Sequence, residues 1–199
     1  MNRNLLVTAL IATTAFGASF AASAQTSAAS TTQRDVKQEQ RIENGLQNGS
    51  ITTRENAQLQ RDEAHVDRLQ ARDMKDGSLS PAKKAQLTAA QNKTSRDIHQ
   101  ATNNGINGNP LSASSQRAQA DTQRNIDQQQ RIANGVKNGS LTKHEAANLE
   151  RGQARVDRRE ARAGADGHVG AAEQRGITRA DDRQSARIYN KKHNARVKS

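Results

Sequence analysis

The sequence predicts an all-α protein, built as a tandem duplication of a three-helix unit of about 73 residues at a 90-residue period. Three observations carry this. Residues 32–104 align without a gap with residues 122–194, with 31 identities in 73 positions. Asn-Gly or Asp-Gly pairs divide each copy, at Asn48-Gly49 and Asp76-Gly77 and again at Asn138-Gly139 and Asp166-Gly167. Such pairs supply the left-handed backbone that ends one helix before the next begins. Helix starts are marked as well. Thr52-x-x-Glu55 and Thr142-x-x-Glu145 have the form of capping boxes, and Ser80-Pro81 sets an N-cap before a proline at the first helical position.

The elements follow in order. Arg3, the apolar or small stretch Leu5–Phe20 and the small-x-small triplet Ala22-Ser23-Ala24 have the layout of an export signal over residues 1–24. Cleavage is expected between Ala24 and Gln25, which implies a periplasmic or secreted protein. The apolar stretch is shorter than the ~20 residues of a spanning helix, and no second one follows, so no transmembrane segment is expected after cleavage. Residues 25–31 read as a flexible leader. The first repeat, residues 32–102, is expected to hold helices at 32–46, 53–75 and 81–102. Residues 103–115, rich in Asn, Ser and Gly with Pro110, read as a linker. The second, basic repeat, residues 116–199, is expected to hold helices at 122–136, 143–163 and 171–192. The start at Gly170 keeps Glu173 but lacks a capping hydroxyl, so that end is expected to fray.

Composition limits what these helices can bury. The 199 residues hold 31 Lys and Arg against 20 Asp and Glu, five His and no Cys or Trp. After residue 24, large apolar side chains number 24 of 175, and Tyr189 is the only aromatic ring. A core this sparse argues against an α/β enzyme. Without Cys there is no disulfide, iron–sulfur or thiol chemistry. Leu59, Val66 and Leu69 share one face of the second helix, and Leu87, Ala90, Thr94, Ile98 and Ala101 one face of the third.

Charge is the strongest functional signal. Residues 25–104 carry 12 basic and 10 acidic groups, whereas residues 105–199 carry 18 and 10. Arg151, Arg155, Arg158 and Arg162 fall on one helical stripe, at the positions held by Arg61, His65, Arg68 and Arg72 in the first copy. Arg175, Arg179, Arg183, Arg187 and Lys191 repeat at every fourth residue of the last helix. These nine cations are the candidate polyanion-binding residues. The plainer alternative is a solvated helix face, partly balanced by Glu150, Asp157 and Glu160. Anionic envelope polymers or unfolded client proteins fit such a surface. With one aromatic ring, nucleic acid could be held only through its backbone and without sequence specificity.

Catalytic signatures are missing from the sequence. No nucleophile elbow, P-loop or dinucleotide fingerprint occurs, and an aromatic-poor helical chain has little with which to wall a pocket. A non-enzymatic protein without a cofactor is expected. The histidines (His65, His99, His144, His168, His193) include no i, i+4 pair with which to start a zinc or copper site.

The turn units resemble EF-hand calcium loops in degenerate form. With Gly49 at the loop glycine, Asn44, Asn48, Thr52 and Glu55 take ligand positions, as do Asn134, Asn138, Thr142 and Glu145 in the second copy. The resemblance implies weak calcium binding as the alternative function. Each of these two loops has one carboxylate, and Leu46 and Val136 stand where a third ligand belongs. Ile51-Thr52-x-x-Glu55 and Leu141-Thr142-x-x-Glu145 also resemble the LTxxQ motif of periplasmic stress chaperones, with Glu in place of Gln. The whole resembles exported helical-repeat proteins of Gram-negative bacteria.

Overall fold

Thr52 and Thr142 start their helices as the sequence requires. Each hydroxyl accepts the Glu amide three residues on, and the Glu carboxylate accepts the Thr amide, at 2.9 Å for Glu55 and 3.1 Å for Glu145. Ser80 caps the helix that Pro81 opens. A computed structural model describes residues 17–76 and 80–194, with side chains from residue 28 onward. Its elements are α1 (Gly17–Asn48), α2 (Thr53–Lys75), α3 (Pro81–Asn103), α4 (Ala113–Lys137), α5 (Lys143–Ala163) and α6 (Ala171–Lys192). Among the described residues there is no strand, and no helix is long and apolar enough to cross a membrane.

Two boundaries differ from expectation. Residues 25–31, read as a flexible leader, lie inside α1, and Ala28 and Ala29 are buried there beside Met74, Ile132 and Ile188. A run of Ala, Ser and Thr suits a helix that has a surface to pack on. The helix α4 starts at Ala113 rather than near 122, because the Ser112 hydroxyl accepts the Ser115 amide at 3.1 Å. The linker is correspondingly shorter, and Gly108 N–H donates to Gly49 O at 2.8 Å. At Gly170 the Glu173 carboxylate still accepts the Gly170 amide at 2.8 Å, leaving half of a capping box. The expected signal lies over residues of which 1–16 are outside the described part, as are Gly77 and Leu79. The Ala24–Gln25 junction falls within α1.

The turns work by one device. Gly49, Gly139 and Gly167 have φ of +80°, +71° and +91°. Asn48, Asn138 and Asp166 each accept a backbone amide two residues on, at 2.9 Å. Ile51 N–H returns to Gly45 O at 2.9 Å, and Leu141 N–H to Gly135 O at 2.8 Å. Ile51 and Leu141 thereby fold back over the ends of α1 and α4, where they are buried.

In the bundle, α1 lies along α4 and α2 along α5; α3 packs on α1 and α2, and α6 on α4 and α5. Ile42, Leu46, Ile51, Leu59 and Ile98 form one apolar cluster. Ile132, Val136, Leu141, Leu149 and Ile188, each ninety residues later, belong to another. Val66 and Leu69 pack with Leu87 and Ala90. Between the large clusters the inward positions of α1, α2, α4 and α5 carry Asp, Glu, Asn and Gln instead.

Candidate functional site

Gln184 Nε2 donates to Leu149 O at 2.8 Å, and a Cβ on Gly152 would overlap the Gln184 amide. Glycine here lets α6 lie close to α5. The seam between them opens into a groove of about 320 Å³, lined by Asn148, Leu149, Arg151, Arg155, Arg187 and Lys191. Four cations with an apolar floor make this a concave, acid-free surface. Burial and the neighbouring charges of Arg187, Arg158 and Arg151 push the Arg155 guanidinium below its ordinary pKa, so the cations repel one another. An anion seated among them would relieve that repulsion.

Further along the same two helices, Arg159, Arg162 and Arg179 surround a second groove with Glu173 and Gly176. A Cβ at Gly176 would come within 3.3 Å of Arg159 Nη1. Arg159 was not on the sequence stripe, which followed i, i+4 and i+7 spacing and passed over it. Arg158 is half-buried beside Arg155, with Nε donating to Ala154 O at 2.9 Å. Arg175 and Arg183 are exposed and line neither groove.

The equivalent seam between α2 and α3 is lined by Glu55, Gln58, Leu59, Asp62, Lys93, Asp97, Gln100, Ala101 and Asn104. Leu59 corresponds to Leu149, Asp97 to Arg187 and Ala101 to Lys191. Lys93 is held by Asp62 at 2.9 Å and Asp97 at 2.6 Å. The α2/α3 groove is thus mainly acidic where the α5/α6 groove is basic.

Glu150, Asp157 and Glu160 do not balance the arginine stripe. All three are buried on the opposite side of α5. Nor are they alone: Asp35, Glu39, Glu63, Asp67 and Asp181 are buried with them. Burial raises these carboxyls, Asp35, Asp157 and Asp181 to about 7 and Glu150 to about 8. Glu39, Glu63, Asp67 and Glu160 are also raised, by burial first and by neighbouring carboxyls second. The sequence carries a signal for this core that helical periodicity alone passes over. Acid and amide trade places at the offset of 90: Asp35/Asn125, Glu39/Gln129, Gln60/Glu150, Glu63/Gln153 and Gln70/Glu160.

The candidate calcium ligands are occupied by the turns. Glu55 Oε2 accepts from Thr52 N and Oγ1, and Oε1 from Asn104 Nδ2 at 2.6 Å. Glu145 repeats the arrangement with Thr142 and Asn194. Asn48 and Asn138 use their side-chain oxygens within the turn. Asn44 and Asn134 lie in the last turns of α1 and α4. Among the described residues no group of three or more His, Asp or Glu could hold a metal ion.

No family model, curated protein or solved structure matches this chain.

Proposed function

We propose that the chain is an exported, non-enzymatic binding or stress-protective protein of the periplasm or cell exterior. It is a tandem duplication of a three-helix unit with EF-hand-like turns, and it uses the basic α5/α6 face to hold anionic polymers or unfolded clients rich in acidic residues. One observation carries this reading: Arg151, Arg155, Arg187 and Lys191 converge on a groove with no carboxylate in its lining. Structural cations are normally paired; here like charges are held together over an apolar floor. Arginine adds planar, two-pronged recognition of phosphate, sulfate and carboxylate. The sequence layout of residues 1–24 supports export.

The test is binding of the full mature chain to heparin and to lipopolysaccharide across a salt series. Arg155→Glu with Arg187→Glu should lower affinity at least tenfold and flatten the salt dependence. Lys37→Glu with Lys84→Glu, both exposed in the first segment, makes the same change in net charge and should have little effect. Equal losses from the two pairs would reduce the groove to bulk basicity. Clients replace polymers in this reading if the groove variant loses protection of an acidic unfolded protein while polymer binding stays as it was.

A further inference from the structure

The buried carboxyl core has a second regularity. Gln70 donates to Asp35, and in the other copy Asn125 Nδ2 donates to Glu160 Oε2 at 2.9 Å. These are the same two positions with donor and acceptor exchanged. Gln60 Nε2 donates to Glu39 Oε2 at 3.1 Å. Gln129 reaches across to Asp67 Oδ1 at 3.0 Å, and Thr32 to Glu150 Oε1 at 3.2 Å. Asp67 and Asp157, ninety residues apart in the sequence, lie close together in this core, where burial and the Asp157 charge raise the Asp67 carboxyl.

What this core lacks is donors. Its unpartnered buried atoms include both carboxyl oxygens of Glu63, one each of Asp67, Glu150, Asp157 and Glu160, and the amide oxygens of Gln38, Gln60, Gln129 and Gln153. All are acceptors. An ionised carboxylate only accepts, so it can satisfy none of these atoms, whereas a protonated carboxyl can donate to one. Among the described residues no Lys, Arg or His is buried.

The groups facing this core can be named helix by helix. Asp35 and Glu39 come from α1, Glu63 and Asp67 from α2, and Glu150, Asp157 and Glu160 from α5. Asp181 comes from α6, while α3 presents Gln91 and α4 presents Asn125, Gln128 and Gln129, with Asp121 nearer its rim. Opposite charge reaches it only from the edge. Arg34 lies beside Asp35, Arg124 stands 3.7 Å from Asp181 and 3.9 Å from Asp121, and Lys93 pairs with Asp62 next to Glu63. Glu43 and Asp62 add negative charge near Glu39 and Glu63.

We propose that protons operate this bundle: α1 and α2 close on α4 and α5 around protonated carboxyls that supply the missing donors, and the closed form loosens as pH rises through neutrality. The sign follows from the raised pKa values. Each such group stabilises the fold fully below the ordinary carboxylate range, and that contribution is lost as pH climbs through 7 to 8. Ordinary acid denaturation runs the other way. Above that range the core holds several negative charges with no cation among them, a state that water or separation of the helices must relieve.

Thermal melts of the full mature chain from pH 5 to pH 9 at constant ionic strength test this, followed by circular dichroism and by the infrared carbonyl band of protonated carboxyls. The melting temperature should be highest at pH 5 and fall by roughly 10 °C or more by pH 8. The protonated-carboxyl band should persist at pH 7 in the folded chain and vanish on unfolding. Glu63→Gln, which installs the residue found at Gln153, should raise the melting temperature at pH 8 and change it little at pH 5. Should that variant not fold, the unmutated chain still decides the question. A melting temperature that is flat or rises from pH 5 to pH 8, or no such band at pH 7, overturns the proposal. So does full recovery at pH 8 on adding calcium or magnesium chloride without the band, which would place a cation where the protons are assigned.

Discussion

Replacing Asp35 with Asn removes one buried ionisable group and keeps its shape, the change already present ninety residues on at Asn125. Asp35 accepts from Gln70 and, at 2.8 Å, from Gln91. Burial lifts its pKa from 3.8 to about 7 against the pull of those amides and of Arg34. Between pH 5 and pH 7 the folded chain keeps this proton and the unfolded chain does not. Two pH units at ~1.4 kcal/mol each weaken the fold by about 3 kcal/mol over that interval. For a chain of this size that is roughly 6–12 °C in melting temperature. Asp35→Asn should remove this part of the pH slope, read as urea midpoints at pH 5 and pH 7. The exchange Asp35→Asn with Gln70→Glu copies the Asn125–Glu160 pair and should restore the slope, because the ionisable group has only moved to the partner helix. An unchanged slope in the single variant, or no return in the double, would refute the assignment.

Three further outcomes follow from local geometry. At Gly45 a Cβ would overlap Ile51 Cδ1, and at Gly135 one would lie 2.6 Å from Leu141 Cδ1; either Ala variant should destabilise by about 1–3 kcal/mol from overpacking, less any gain in helix propensity, measured by urea titration. Ser112→Ala should cost about 1 kcal/mol and speed amide hydrogen exchange in the first turn of α4, with α5 unaffected. Millimolar calcium should move the melting temperature by no more than a degree or two, since Glu55 and Glu145 already cap helices, and a large shift at micromolar calcium would reinstate the EF-hand reading.

Helix positions were legible because their signals are local. The Thr52 and Thr142 capping boxes, the Ser80-Pro81 start and the Asn-Gly turns each act within four residues. The start of α4 was hidden because Ser112 sits in a stretch whose Asn, Gly and Pro content reads as linker. The leader residues look unstructured alone and become helical where Ala28 and Ala29 meet Met74, Ile132 and Ile188. The arginine stripe was legible as a stripe. Its grooves were not, since they depend on how closely Gly152 lets α6 approach and on Arg187 and Lys191 arriving from another helix. The polar core is hidden from the sequence because Glu150, Asp157 and Glu160 look like surface balance until α2 covers them, and only the acid–amide exchange at an offset of 90 residues marks them as partners.

The central claim is that the position of the cations in the α5/α6 groove, and not the total charge, makes the binding surface. A variant that exchanges equivalent residues tests it most directly: His65→Arg with Arg155→His, and Asp97→Arg with Arg187→Asp, leave the composition unchanged. Hydrogen–deuterium exchange with and without heparin is the measurement. In the unaltered chain protection should fall on α5 and α6; in the exchanged variant it should leave them, affinity should drop, and whatever protection remains should move to α2 and α3. Protection that stays on α5 and α6 at unchanged affinity would contradict the account.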